Sequence, residues 1–133
     1  MAQTIISRRG GSTPRETLLW TNPNTGNAIN DNTKILLSNP YTDFKYLKIE
    51  FQLSTGVPSK KMSVIYAKEE VEKSANANET VSMSICCKGL DSLTWVRRIY
   101  KIDNSSLGIS IANAYGGDPN PYYLIPTNIY GLK

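Results

Sequence analysis

Residues 46–53 read YLKIEFQL. Leu47, Ile49, Phe51 and Leu53 alternate with Tyr46, Lys48, Glu50 and Gln52, the period of two that turns one apolar row to a core and one polar row to water. The flanking segments repeat this at shorter length. Upstream, residues 34–38 (KILLS) end at Asn39-Pro40, and residues 17–20 (TLLW) are closed by TNPNTGN at 21–27, a dense set of turn formers. Downstream, TGVPS at 55–59 turns the chain into a fourth strand at 62–67, MSVIYA.

Residues 80–88 (TVSMSICCK) alternate again, with Val81, Met83, Ile85 and Cys87 on one face. TWVRRIYKI is the centre of a long strand over 93–102. Leu107, Ile109 and Ile111 mark a seventh, and the alternation lapses at Asn113. GGDPNP at 116–121 breaks the chain before a last strand at 122–130 (YYLIPTNIY), in which Pro126 points to a sheet edge or a bulge. The one charge-dense segment, KEEVEKS at 68–74, reads as a single helical turn or a solvated loop. About eight strands separated by turn chemistry, with no long amphipathic helix, predict an all-β fold: a jelly-roll-like β-sandwich over residues 16–133.

Residues 1–15 differ in kind. They hold Arg8, Arg9 and Arg15 with Gly10, Gly11 and Pro14, contain no acid, and have too little apolar content to fold. The formal net charge of the chain is +4. With the three arginines set aside, twelve basic residues face eleven acidic ones, so the charge excess is local. Three arginines are few for a nucleic-acid tether, whose affinity grows with the phosphates neutralised. They suffice to anchor an extended arm on a partner protein. The expectation is an extended basic anchoring arm over 1–15 and no nucleic-acid partner.

Several chemistries are excluded by composition. The chain has no histidine, which removes His-based triads, the commonest general bases and imidazole metal sites. Cys86 and Cys87 are adjacent in a strand pattern, so they point to opposite faces and are poorly placed to bridge. The missing disulfide framework fits synthesis in a reducing cytoplasm. No apolar run approaches the roughly 18 residues of a membrane span. MAQTIISRRGG carries its charges after a short apolar patch, unlike a secretory signal, so no membrane partner is expected.

Glu69, Glu70 and Glu72 interleave with Lys68 and Lys73 as a solvated face rather than flanking a pocket as a glycosidase requires. Asp91, Asp103 and Asp118 sit at turns without the spacing of a calcium loop. Gly10-Gly11 and Gly116-Gly117 lack the Lys-Ser/Thr ending of a phosphate loop. The chain is expected to be no enzyme, with no catalytic residue, cofactor or metal.

The aromatic residues are more informative. Tyr115, Tyr122, Tyr123 and Tyr130 cluster around the 116–121 loop, and Trp95 and Tyr100 share a strand with Arg97 and Arg98. Ring faces stack on pyranose faces and suit protein contacts equally, so Trp95, Tyr115, Tyr122 and Tyr123 are candidates for glycan or partner contact. Packing in the core or at a sheet edge is the ordinary alternative for each.

ETLLWTNPN at 16–24, KILLS at 34–38, FKYLKIEFQLS at 44–54, WVRRIYKI at 95–102 and IPTNIYGLK at 125–133 together resemble small β domains in phages of Gram-positive bacteria. Such domains occur at the C-termini of tail-fibre and baseplate proteins and as short standalone virion proteins. The resemblance implies a non-enzymatic β-sandwich on the virion surface, made in the bacterial host cytoplasm. Its partners would be capsid, tail or baseplate proteins and host cell-wall glycans, in an arrangement compatible with a homo-oligomer. Tail fibres carry a long stalk ahead of such a head, whereas about fifteen residues precede this one. The expectation is therefore a small accessory protein held by its arm through Arg8, Arg9 and Arg15. A free-standing carbohydrate-binding module is the alternative.

Overall fold

The computed structural model describes residues 16–74, 83–115 and 117–133. The arm, with Arg8, Arg9 and Arg15, lies outside the described residues, as do residues 80–82 of one expected strand and Gly116. The alternating segment becomes β3 (Tyr46–Ser54). It is an inner strand of a four-stranded antiparallel sheet in the order β1 (Glu16–Thr21), β9 (Tyr123–Leu132), β3, β4 (Val57–Ala67). A second antiparallel sheet runs β2 (Thr33–Leu36), β7 (Ser106–Ile109), β6 (Thr94–Asp103), β5 (Met83–Lys88). A two-residue β8 (Asn113–Ala114) pairs with Trp95 and Val96 of β6.

The described residues thus form an all-β sandwich of nine strands. The first strand lies beside the last and the second beside the seventh, the wrapping of a jelly roll. The middle of the chain closes differently, as a β3–β4 hairpin and a β5–β6–β7 meander.

The inward row of β3 fills the space between the sheets. Leu47, Ile49, Phe51 and Leu53 are each 3% exposed or less, and they join Ile35, Ile85, Ile99, Leu107, Ile109 and Ile129 in one cluster. Each such side chain removed from water contributes about 1.5–3 kcal/mol before entropy is charged against it. The segment at 68–74 is helical: α1 (Lys68–Lys73) starts where the Ala67 N–H donates to Glu70 Oε1 at 2.9 Å, and it buries Val71 completely.

The structure settles one open alternative of the sequence reading and differs from it at two places, each for a physical reason. Pro126 lies in an inner strand, so of the two alternatives the bulge holds. Glu50 pairs with Asn128 and the next residue, Phe51, with Pro126, leaving Thr127 as the extra residue. The turn expected over 55–59 is confined to Thr55 and Gly56, and β4 continues through Pro58 because an edge strand tolerates a missing donor. The lapse at Asn113 conceals β8, too short for periodicity to detect.

A second bulge at Leu18/Trp20 inserts Leu19, whose carbonyl accepts the Ser38 N–H at 2.9 Å. That bond ties the first sheet to the chain leaving the second. Register also gives the sandwich two distinct ends. Residues 22–30, 55–56, 89–93, Tyr115 and residues 117–122 gather at one, the tyrosine end. Residues 37–45, α1 and residues 103–105 gather at the other, where Glu16 pairs with Leu132 and Leu132 with Tyr46.

Candidate functional site

The tyrosine end is organised by a buried cation. On β6 the alternation that buries Trp95 and Ile99 also turns Arg97 inward, where it is fully shielded from solvent. Its Nε donates to the Tyr123 carbonyl at 2.9 Å. Nη1 donates to the carbonyls of Ile29 at 2.9 Å and Ser110 at 2.7 Å, and Nη2 to Pro121 at 2.8 Å. No carboxylate bonds it among the described residues. Burial pulls its pKa down to about 10, opposed by the nearby Asp31 charge, so it remains a cation at neutral pH. A planar guanidinium has five donors in a fixed fork and serves four carbonyls from three chain segments here, whereas an ammonium has only three donors. Asp31 is itself engaged, its Oδ1 accepting the Ile111 N–H at 3.0 Å.

The loops around Arg97 are further fixed by their own backbones. Ile29 N–H donates to the Pro121 carbonyl at 2.9 Å, Tyr115 N–H to Thr94 at 2.7 Å, and Asn120 N–H to Ala112 at 2.7 Å. Asn120 Oδ1 accepts the Tyr122 N–H at 3.0 Å. Asp91 and Asp103 accept N–H groups two residues on, from Leu93 at 3.1 Å and Ser105 at 2.8 Å. These are Asx turns, the local chemistry expected of those residues. The Ser105 N–H, joined by Ser106, holds the Asp103 carboxyl below its usual range.

The four candidate aromatics divide two and two. Trp95 is in the core, 5% exposed, with its ring stacked on Tyr123 at 4.0 Å between centroids and 4° between planes. Its Nε1 is buried without a hydrogen-bond partner among the described residues. Trp95 and Tyr123 therefore spend their facing surfaces on each other. Tyr115 and Tyr122 are exposed, 85% and 53%, together with Leu90 and Leu93 at the β5–β6 turn. Tyr130 lies elsewhere, on the outer face of the first sheet with Lys48 Nζ 4.9 Å above its ring.

The other candidates are placed as follows. Glu70 caps α1, while Glu69 and Glu72 are exposed. Cys86 is exposed on the outer face of β5, and half-buried Cys87 points the other way with its sulfur 3.1 Å from that of Met62. Among the described residues no three His, Cys, Asp or Glu side chains are grouped to hold a metal, and no helix is long and apolar enough to cross a membrane. Arg97 is the residue that sequence reasoning missed. Its parity with Trp95 and Ile99 in TWVRRIYKI was the available signal. Searches with family models, among curated proteins and among solved structures match nothing to this chain.

Proposed function

We propose that this chain is a non-enzymatic virion accessory protein of a phage, attached to capsid, tail or baseplate through residues 1–15. Its sandwich would decorate the particle or touch the host surface. The observation that supports this best is the polarity of the domain. The chain leaves residues 1–15 at Glu16, which pairs with Leu132 at the α1 end, while exposed Tyr115 and Tyr122 sit at the opposite end. A domain held at one end presents the other outward. Arg97 and the loop bonds also tie the described loops of the tyrosine end together before any contact, and a preorganised surface loses little entropy on binding.

In this reading Arg8, Arg9 and Arg15 attach the protein, and Tyr115 and Tyr122 supply outward contacts. The test is assembly with a chain lacking residues 1–15. The truncated protein is expected to fold and to be missing from purified particles, and replacing the three arginines by alanine should weaken incorporation in the same direction. Incorporation of the truncated chain at the wild-type level would sink the anchoring role.

A further inference from the structure

A second surface, on a sheet face rather than on the loops that carry Tyr115 and Tyr122, has the makings of a ligand site. On the outer face of the first sheet, one row of paired residues crosses all four strands: Thr21, Asn128, Glu50, Ser63. A groove of about 240 Å³ opens along it, lined by Glu50, Lys61, Met62, Ser63, Thr127 and Asn128. Residues 22–27 fold over the sheet beside it. Asn22 Nδ2 donates to the Pro126 carbonyl at 2.9 Å, and Gln52 Nε2 to the Thr25 carbonyl at 3.3 Å. On the other side stands the next outward row, Leu18, Tyr130, Lys48 and Ile65. The bulge at Thr127 falls inside the groove, where the ladder between β3 and β9 slips by one residue. Bulges are a recurrent way to re-aim side chains next to binding sites.

The polar groups are of two kinds. Thr21 Oγ1 donates to Asn128 Oδ1 at 3.0 Å, and Asn128 Nδ2 donates to Glu50 Oε1 at 3.2 Å, so the amide and the carboxylate are held before any ligand arrives. The side chains of Lys61 and Ser63 have no hydrogen-bond partner among the described residues, and an ammonium and a hydroxyl are thus available. The one acid and the one cation of the lining oppose each other, so the groove favours neither an anion nor a cation. It offers donors and acceptors in mixed order over a short span; Met62 borders it, but its thioether turns inward to the Cys87 sulfur, so the lining side chains are polar.

We infer that this groove binds a neutral polyhydroxylated ligand, one or two sugar rings of a glycan. Vicinal hydroxyls, each both donor and acceptor, match an alternation of carboxylate, amide, hydroxyl and ammonium. A carboxylate without a second one across the groove binds a sugar and does not hydrolyse it. The inference extends the proposed host-surface contact by naming a ligand class and a different face, and it does not depend on attachment through residues 1–15. A shallow groove of this size implies an affinity on the order of 1 mM for a single ring.

The test is an NMR titration of the full chain with mono- and trisaccharides of glucose, galactose, rhamnose and N-acetylglucosamine. At least one is expected to shift the amides of Ser63, Thr127 and Asn128 in a saturable way. Glu50→Gln should weaken that sugar about tenfold or more, since a hydrogen bond to a charged acceptor is lost. Ser63→Trp should abolish binding by filling the groove while its thermal unfolding stays close to wild type. Saturable shifts confined to Tyr115 and Tyr122 would overturn the groove and leave the tyrosine end as the contact. No shift with any sugar, or full affinity in Ser63→Trp, would overturn it as well. Particle incorporation reports on the anchoring role separately, so the two ideas fail by different readouts.

Discussion

Arg97 carries the largest single-residue dependence. Truncating it takes a donor from four carbonyls, those of residues 29, 110, 121 and 123, although Pro121 keeps the Ile29 N–H. Arg97→Met is expected to cost about 3–5 kcal/mol, and Arg97→Lys somewhat less because an ammonium can reach only some of the four. Urea midpoints would read both, and a loss under about 1 kcal/mol for Met would contradict the account. Two glycines give a paired prediction. A Cβ on Gly131 would lie 2.4 Å from Cγ of the buried Phe44 ring, and one on Gly108 would lie 2.3 Å from Cζ of Tyr100. Phe44 is packed in the core, whereas the Tyr100 ring lies on the outer face of the second sheet and can swing outward at the loss of its 3.0 Å bond to Asn32. Gly131→Ala should therefore destabilise by more than about 2 kcal/mol, and Gly108→Ala by clearly less. Adding Tyr100→Ala should restore only the Gly108 variant. At this scale the sequence was legible wherever the period of two held. It placed Leu47, Ile49, Phe51 and Leu53 in the core. Arg97 obeyed the same parity, but a charged side chain is read by habit as exposed. Trp95 was read as a contact residue because its type, rather than its parity, was weighed.

Strands supply what individual residues cannot. The edge strands β4 and β5 belong to different sheets and are joined by side chains: the Tyr66 hydroxyl donates to the Ser84 carbonyl, and Lys60 Nζ to the Lys88 carbonyl at 3.1 Å. Burial pushes the Tyr66 pKa up to about 12. A phenol whose pKa is raised on folding stabilises the native state fully below its ordinary value near 10. That contribution is lost as the pH climbs through about 12. The stability difference between wild type and Tyr66→Phe should thus be flat up to about pH 10 and then shrink by about 2–3 kcal/mol by pH 12. Denaturant titrations of both proteins across that range would check it, and a difference that stays constant would refute it. The elements themselves were largely readable, since eight of the nine strand positions follow from alternation and turn residues. Their neighbours were not. Thr21 and Asn128 stand side by side although 107 residues apart in sequence, and their row meets Glu50 in register only because Thr127 is bulged out. A site made by register across four strands leaves no local trace in the chain.

Over the whole molecule, the polarity of the sandwich organises the proposed function, in which attachment would lie at the α1 end and display at the tyrosine end. The core closes within the described strands, and the one ion pair among the described residues, Lys48 Nζ to Glu16 Oε2 at 2.6 Å, secures the start of β1 from inside the domain. Removal of residues 1–15 is accordingly expected to move the melting temperature by no more than about 2 °C. A much larger drop would mean that the arm belongs to the folded unit. The pairing of the first strand with the last also decides how this domain bears force. A load entering at Glu16 and leaving through the tyrosine end runs along β1. The hydrogen bonds between β1 and β9 lie across that direction, so they are sheared together rather than opened one after another. Pulled instead between Glu16 and Leu132, which face each other, the same two strands would unzip from one end at far lower tension. Were the chain held on a particle through residues 1–15, the load would fall along this shear axis, which the β1–β9 pairing is arranged to resist.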